Sequence, residues 1–186
     1  MAQRITTKEP RLRFDGAIIL LHWLTVLLVA ALLVTGFATQ HADDTATLDT
    51  LLAVHRSLGV SVFVLTALRL IWRLGFAALP PFPEHMLRIQ QWAAKANEYG
   101  LYALLFLQPI SGFGDTLFRG KPFELFGQTV PALLPRIPSL FKPLHLAHEY
   151  GAKALLALIG LHAAAALFHQ YVLRDKVLKR MWPGNV

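Results

Sequence analysis

From Gly16 to Ala42 the chain contains no Asp, Glu, Lys or Arg, and within this stretch lies the run AIILLHWLTVLLVAALLVTGF. A bilayer core about 30 Å thick is crossed by roughly 20 helical residues. A run this long and apolar predicts a membrane-spanning helix. Composition agrees: 55% of the 186 residues are hydrophobic and 16% are Asp, Glu, Lys or Arg, against about 25% charged in soluble domains. The basic start resembles a secretory signal, but the apolar core of a signal is about 7–15 residues long. Here it is longer and no clear A-x-A site follows, so the segment is expected to be retained.

Three further stretches follow the same logic. LGVSVFVLTAL lies between Arg56 and Arg69, YGLYALLFLQPISGFG between Glu98 and Asp115, and ALLALIGLHAAAALFHQYVL after Lys153. The expected architecture is an all-α membrane protein, a four-helix transmembrane bundle in one domain over residues 1–186. Its spans are expected at about 16–40, 50–74, 92–117 and 144–173.

The net charge is +7. A basic balance is one mark of nucleic-acid binding, but here the basic residues flank apolar runs, so the expected partner is membrane lipid and not nucleic acid. Lys and Arg in short loops favour the cytoplasmic side. They occur in the N-terminal segment (Arg4, Lys8, Arg11, Arg13), between spans two and three (Arg73, Arg88) and in the tail (Arg174, Lys176, Lys179, Arg180). The first connection has Asp43, Asp44 and Asp49 instead. Both termini are therefore expected in the cytoplasm. The third connection runs against this, with Arg119, Lys121, Arg136 and Lys142 on the side expected to be outer, in a long proline-rich segment.

The chain has no cysteine, which excludes disulfides, iron–sulfur clusters, zinc–thiolate sites and haem attached through C-x-x-C-H. It has eight histidines, several in the apolar runs. An imidazole at membrane depth is costly unless paired or ligated. His148 and His162 are 14 residues apart, an advance of about 21 Å that falls about 40° short of four full turns. They share one helix face at two depths. His162 arrives at the level of His22 near the inner face, and His148 sits at the level of His55 near the outer face. Two such pairs suit two bis-histidine b haems, which leave no open iron position and serve electron transfer. Helix–helix hydrogen bonding is the alternative for any one histidine. Zinc is a further one, although a catalytic zinc site gathers three ligands at one depth.

Gly36 lies 14 residues after His22, and Gly59 one turn after His55. Each suits either close approach of a porphyrin edge or ordinary small-residue packing. Arg69, 14 residues after His55, suits a haem propionate or a cytoplasmic anchor. His169, seven residues after His162, suits hydrogen bonding or proton donation to a quinone, or an interfacial position. His145 competes with His148 as a ligand, and His41 and His85 read as loop residues.

These residues sit in recognisable motifs: HW (His22–Trp23), HRSLG…RLIWRL (His55 to Leu74), PISG (Pro109 to Gly112), GKPFELFG (Gly120 to Gly127), AHEYG (Ala147 to Gly151) and GLHAAAALFHQYVLRDKVLKRM (Gly160 to Met181). Over nearly its whole length the chain resembles the bacterial cytochrome b561 family of di-haem, quinone-linked membrane cytochromes. The resemblance implies His22 and His162 on one haem, His55 and His148 on the other, and location in the bacterial inner membrane. Likeness to superoxide-oxidising members implies electron transfer from periplasmic superoxide to ubiquinone, with His169 at the quinone site. Two departures fall on that inner side. Asn97-Glu98 stands where members often have a histidine early in span three, and His85 stands where a lysine precedes it. His85 and Glu98 are accordingly candidate quinone-side residues. Arg119, Lys121, Arg136 and Lys142 would steer superoxide or bind lipid headgroups. The alternatives are a cytochrome anchor passing electrons to or from a partner dehydrogenase or hydrogenase, and a non-redox transporter or scaffold.

Overall fold

The computed structural model describes residues 13–83, 85–175 and 177–183. Of the basic residues used above for orientation, Arg4, Lys8, Arg11 and Lys176 lie outside them.

Four long helices dominate: α1 (Gly16–Ala38), α2 (Thr45–Gly75), α3 (Arg88–Phe118) and α4 (Pro138–Tyr171). Two begin on aspartate caps, which satisfy amide groups that have no partner inside a helix. Asp15 accepts from the Ile18 amide at 2.9 Å. Asp44 accepts from the Thr47 amide at 2.8 Å and its hydroxyl at 2.7 Å. α4 starts with Pro138 in its first turn, where a missing N–H costs nothing. The helices therefore reach beyond the apolar runs, with α2 starting at Thr45 and α4 at Pro138.

Among the described residues, three segments are long and apolar enough to cross a membrane: Gly16–His41, Thr45–Gly75 and Pro138–Leu173. α3 has the same 31 residues as α2 but is more polar. Its charge-free part is confined to Tyr99–Gly114, and it turns Gln108, Ser111 and Thr116 inward. The outward faces of the helices carry large apolar side chains such as Leu27, Val34, Leu68, Leu107 and Leu161, as a lipid-facing surface requires.

α1 packs on α2, α2 on α3, and α3 on α4. Their common core takes one buried residue from each helix, Val29, Val62, Leu105 and Leu155. The α3–α4 connection contains a small antiparallel hairpin, β1 (Phe123–Leu125) with β2 (Gln128–Val130), which the sequence reading treated as a proline-rich loop. Its turn puts Phe126 (φ 49°) and Gly127 (φ 74°) in the left-handed region, as a two-residue hairpin turn of the I′ type demands. The hairpin docks on α2 through the Phe126 amide, which donates to the Ser57 hydroxyl at 2.8 Å.

Candidate functional site

The core quartet also sets the frame for the histidines. Seven residues are two helical turns less about 20°, an advance of about 10.5 Å. Counting seven either way from the core gives His22, Val29 and Gly36 on α1, and His55, Val62 and Arg69 on α2. It gives Glu98, Leu105 and Gly112 on α3, and His148, Leu155, His162 and His169 on α4. One apolar layer thus separates two polar levels.

At the level expected to be outer, the rings of His55 and His148 stand 6.0 Å apart, centroid to centroid, at 83°. Both rings have their Nδ1 engaged. Nδ1 of His148 lies 3.0 Å from the Gln108 carbonyl, which only accepts, so this nitrogen carries the proton. Nδ1 of His55 lies 3.0 Å from the Thr35 hydroxyl oxygen. The Thr35 hydroxyl hydrogen has the Ala31 carbonyl at 2.8 Å as its acceptor, so His55 is the donor here too. Each ring is left with an unprotonated Nε2, the atom that a metal takes when Nδ1–H is anchored. Gly36 and Gly112 sit against these rings. A Cβ at 36 would lie 3.1 Å from His55 Cε1, and one at 112 would lie 2.8 Å from His148 Cε1. Gly151 makes room for the Gln108 amide, which donates to the His148 carbonyl at 3.1 Å.

At the level expected to be inner, the rings of His22 and His162 stand 6.2 Å apart at 61°. Trp23 fixes the neighbouring turn by donating its indole N–H to the Met181 carbonyl at 2.8 Å. Arg69 is close enough for its charge to act on both histidines, and its guanidinium lies 5.4 Å from the centre of the Tyr102 ring. Buried polar atoms without a hydrogen-bond partner among the described residues gather in this half: His22 Nδ1, Thr66 Oγ1, Arg69 Nε, Asn97 Oδ1, Tyr102 OH and Gln170 Oε1. Such atoms cost about 1–3 kcal/mol each when left unpaired.

These features fit a bis-histidine haem at each level. Two imidazoles on one metal, with bonds of about 2 Å and roughly 1.2 Å from nitrogen to ring centre on either side, have centroids about 6.4 Å apart. The His55 and His148 rings each present an unprotonated Nε2, as such a haem uses. The glycines leave bare backbone beside the rings, and Arg69 offers a buried cation at the inner level.

The remaining candidates fall into two groups. His169 Nδ1 donates to the carboxylate of Asp175, and His85 Nε2 lies 3.6 Å from the same oxygen. Glu98 stands apart from that cluster, paired with Arg73 at 2.6 Å and Lys95 at 3.4 Å. At the other end, Arg119 makes two parallel 3.0 Å bonds to Asp115. His145 Nδ1 is 3.3 Å from the same carboxylate. Arg119 and Arg136 both stack over Phe141, at 5.2 and 5.7 Å. Arg119, Phe141, Lys142, His145 and Leu146 line a cleft of about 270 Å³. Lys121 is exposed beside the hairpin. Gly59 faces open space, with nothing within 4 Å of a Cβ built there.

Sequence reasoning missed Gly112, Gln108, Thr35, Asp115 and Asp175. Gly112 was within reach, because it lies in the PISG motif 14 residues after Glu98. Gln108 and Thr35 act through carbonyl and hydroxyl contacts that leave no spacing signal.

The sequence description of the family "Prokaryotic cytochrome b561" matches residues 13–184. "Cytochrome b561 homolog 1" of Escherichia coli K12 is 32% identical over 181 residues, covering 92% of this chain and 97% of the relative. "Probable superoxide oxidase CybB" of Yersinia pestis is 30% identical over 167 residues, covering 88% and 92%. "Cytochrome b562" of Cereibacter sphaeroides is 30% identical over 180 residues, covering 94% and 97%. With its helical membrane architecture, the chain belongs to the prokaryotic cytochrome b561 family of membrane electron-transfer proteins, which bind b-type haem.

Proposed function

We propose that this cytochrome is a single four-span domain of the bacterial inner membrane, with both termini cytoplasmic. It binds two b haems, one between His22 and His162 and one between His55 and His148, and passes electrons from periplasmic superoxide to ubiquinone. The observation that carries this reading is the presence of two histidine pairs, 6.2 and 6.0 Å apart, one on either side of the Val29–Val62–Leu105–Leu155 layer. The spacing from His148 to His162, about 21 Å along α4, supports a relay with one station toward each face. When bound, a bis-histidine haem supplies a one-electron couple without an open coordination position.

The chain's own residues prepare these stations. Gln108 and Thr35 hold the outer rings with Nε2 unprotonated. Arg69 supplies positive charge at the inner level, suited to a propionate. At the outer face, Arg119, Arg136 and Lys142 gather around Phe141, with Lys121 beside them, as a surface that would draw in a small anion. At the inner face, His169 is the group suited to meet quinone. The overall change is two superoxide anions, one quinone and two protons giving two dioxygen molecules and one quinol. The name of the Yersinia relative favours superoxide as the donor.

The reading is tested by mixing haem-loaded protein with superoxide and a short-chain ubiquinone in stopped flow. Fast haem reduction, followed by one quinol per two superoxide anions consumed, is expected. Inertness to superoxide, together with copurification of a dehydrogenase or hydrogenase, would favour an electron conduit serving that partner.

A further inference from the structure

We propose that Asp175 is a positioning residue for proton transfer at the inner face, holding His169 as an Nδ1–H imidazole and sharing its carboxylate with the exposed His85. This rests on the reading of His169 as the quinone-side group.

The local backbone is built to bring Asp175 there. α4 ends at Tyr171, and Arg174 then adopts φ 56°, a left-handed conformation that costs roughly 1–2 kcal/mol for a residue with a Cβ. The chain reverses, so that the Asp175 amide donates to the His169 carbonyl at 3.2 Å. The carboxylate returns to the His169 ring and also accepts from the Val177 amide at 3.2 Å. The Asp175 side chain is 1% exposed, His169 12% and His85 61%. One carboxylate oxygen therefore links a nearly buried imidazole on α4 to a solvent-facing one on the α2–α3 connection. Among the described residues these two imidazoles are the titratable groups facing it. Arg180 on the following turn directs its guanidinium to the Pro81 carbonyl at 2.6 Å instead.

Burial by itself would raise the Asp175 carboxyl. The hydrogen bonds from His169 and the Val177 amide, with the charges of His169 and His85, outweigh it and hold the group below the ordinary carboxylate range. An ionised carboxylate only accepts, so Nδ1 of His169 carries a proton. The proton to be given up is then the one on Nε2, on the far side of the ring. When quinone takes two electrons, derived from two superoxide anions that leave as dioxygen, its carbonyl oxygens take two protons. His169 supplies one from Nε2 and water supplies the other. Water then reloads Nε2. The donating form is the doubly protonated ring, whose Nδ1–H the Asp175 carboxylate holds.

The test uses full-length, haem-loaded protein in phospholipid vesicles, with quinone reduction followed against pH. Asp175→Asn is expected to lower kcat about tenfold at neutral pH, with KM within about twofold. Haem reduction by superoxide is expected to be unchanged. Wild-type kcat in Asp175→Asn, with quinone reduction abolished in His169→Gln, would overturn the inference alone. Wild-type quinone reduction in His169→Gln would overturn the underlying reading. Nitrogen-15 NMR of histidine-labelled wild-type protein needs no variant to fold: neutral His169 as the Nδ1–H tautomer is expected, and the Nε2–H tautomer would contradict the assignment.

Discussion

Gly112 lies against the ring of His148, so that a Cβ at position 112 would stand 2.8 Å from Cε1 and 2.9 Å from Nδ1 of the imidazole. Both contacts are shorter than carbon and nitrogen atoms tolerate, and Nδ1 of the ring is already held at 3.0 Å by the Gln108 carbonyl. Gly112→Ala is expected to turn the His148 ring and weaken haem binding at the outer level by about 10–100-fold. Gly36→Ala, at 3.1 Å from His55, should do less. Haem retained per protein during dilution, read from the reduced spectrum, measures both.

Asp115 offsets part of the positive cluster at the face expected to be outer, through two bonds to Arg119 and one contact with His145. If that cluster steers superoxide, Asp115→Asn should speed haem reduction at low salt. Neutralising Arg119, Lys121, Arg136 and Lys142 together should slow it about tenfold or more. Both effects should fade as ionic strength rises. Equal rates for all three proteins at low salt would leave lipid anchoring as the role of these residues.

Leu155 is buried between His148 and His162 on α4 and meets Val29, Val62 and Leu105. Leu155→Ala removes packing from all four helices at once and should destabilise the bundle by about 2–3 kcal/mol. Thermal unfolding in detergent, followed by circular dichroism, reads this directly. A wild-type midpoint would show that the layer is not a structural core.

Asp44 caps α2 through Thr47, whose amide and hydroxyl bonds hold its carboxyl below the usual range. A carboxyl with a depressed folded-state pKa stabilises above its ordinary value, near pH 3.9, and loses that contribution as pH falls through the folded value. Asp44→Ala should therefore lower the melting temperature at pH 7, and the difference from wild type should vanish in strong acid. A difference independent of pH would assign the effect to something other than the cap.

The charge-free run after Gly16 identified α1 directly, because apolarity is a property that every residue reports. The 14-residue step from His148 to His162 likewise carried the two-level arrangement, since helical geometry is fixed once a helix is granted. Gly36 was assigned to a level by the same count, although spacing could not say that it would face the His55 ring. Other parts rest on contacts that a single chain pattern does not encode. The hairpin after α3 depends on Phe126 accepting a left-handed conformation, which its sequence of Leu125-Phe126-Gly127 only half signals. Asp175 lies among the charged residues of the tail, with no spacing that singles it out. Its role depends on the turn at Arg174, a conformation the side chain there does not announce. α3 carries inward polar residues that lower its apolarity, so length and charge spacing made it resemble the other three more than its composition does.

The most direct test of the account is the reduced-minus-oxidised spectrum, with haem quantified per chain, for wild type, His148→Ala and His162→Ala. Two b haems are expected in wild type and one in each variant, with a different spectral component missing in each case. One haem in wild type, or loss of the same component in both variants, would contradict the two-station arrangement.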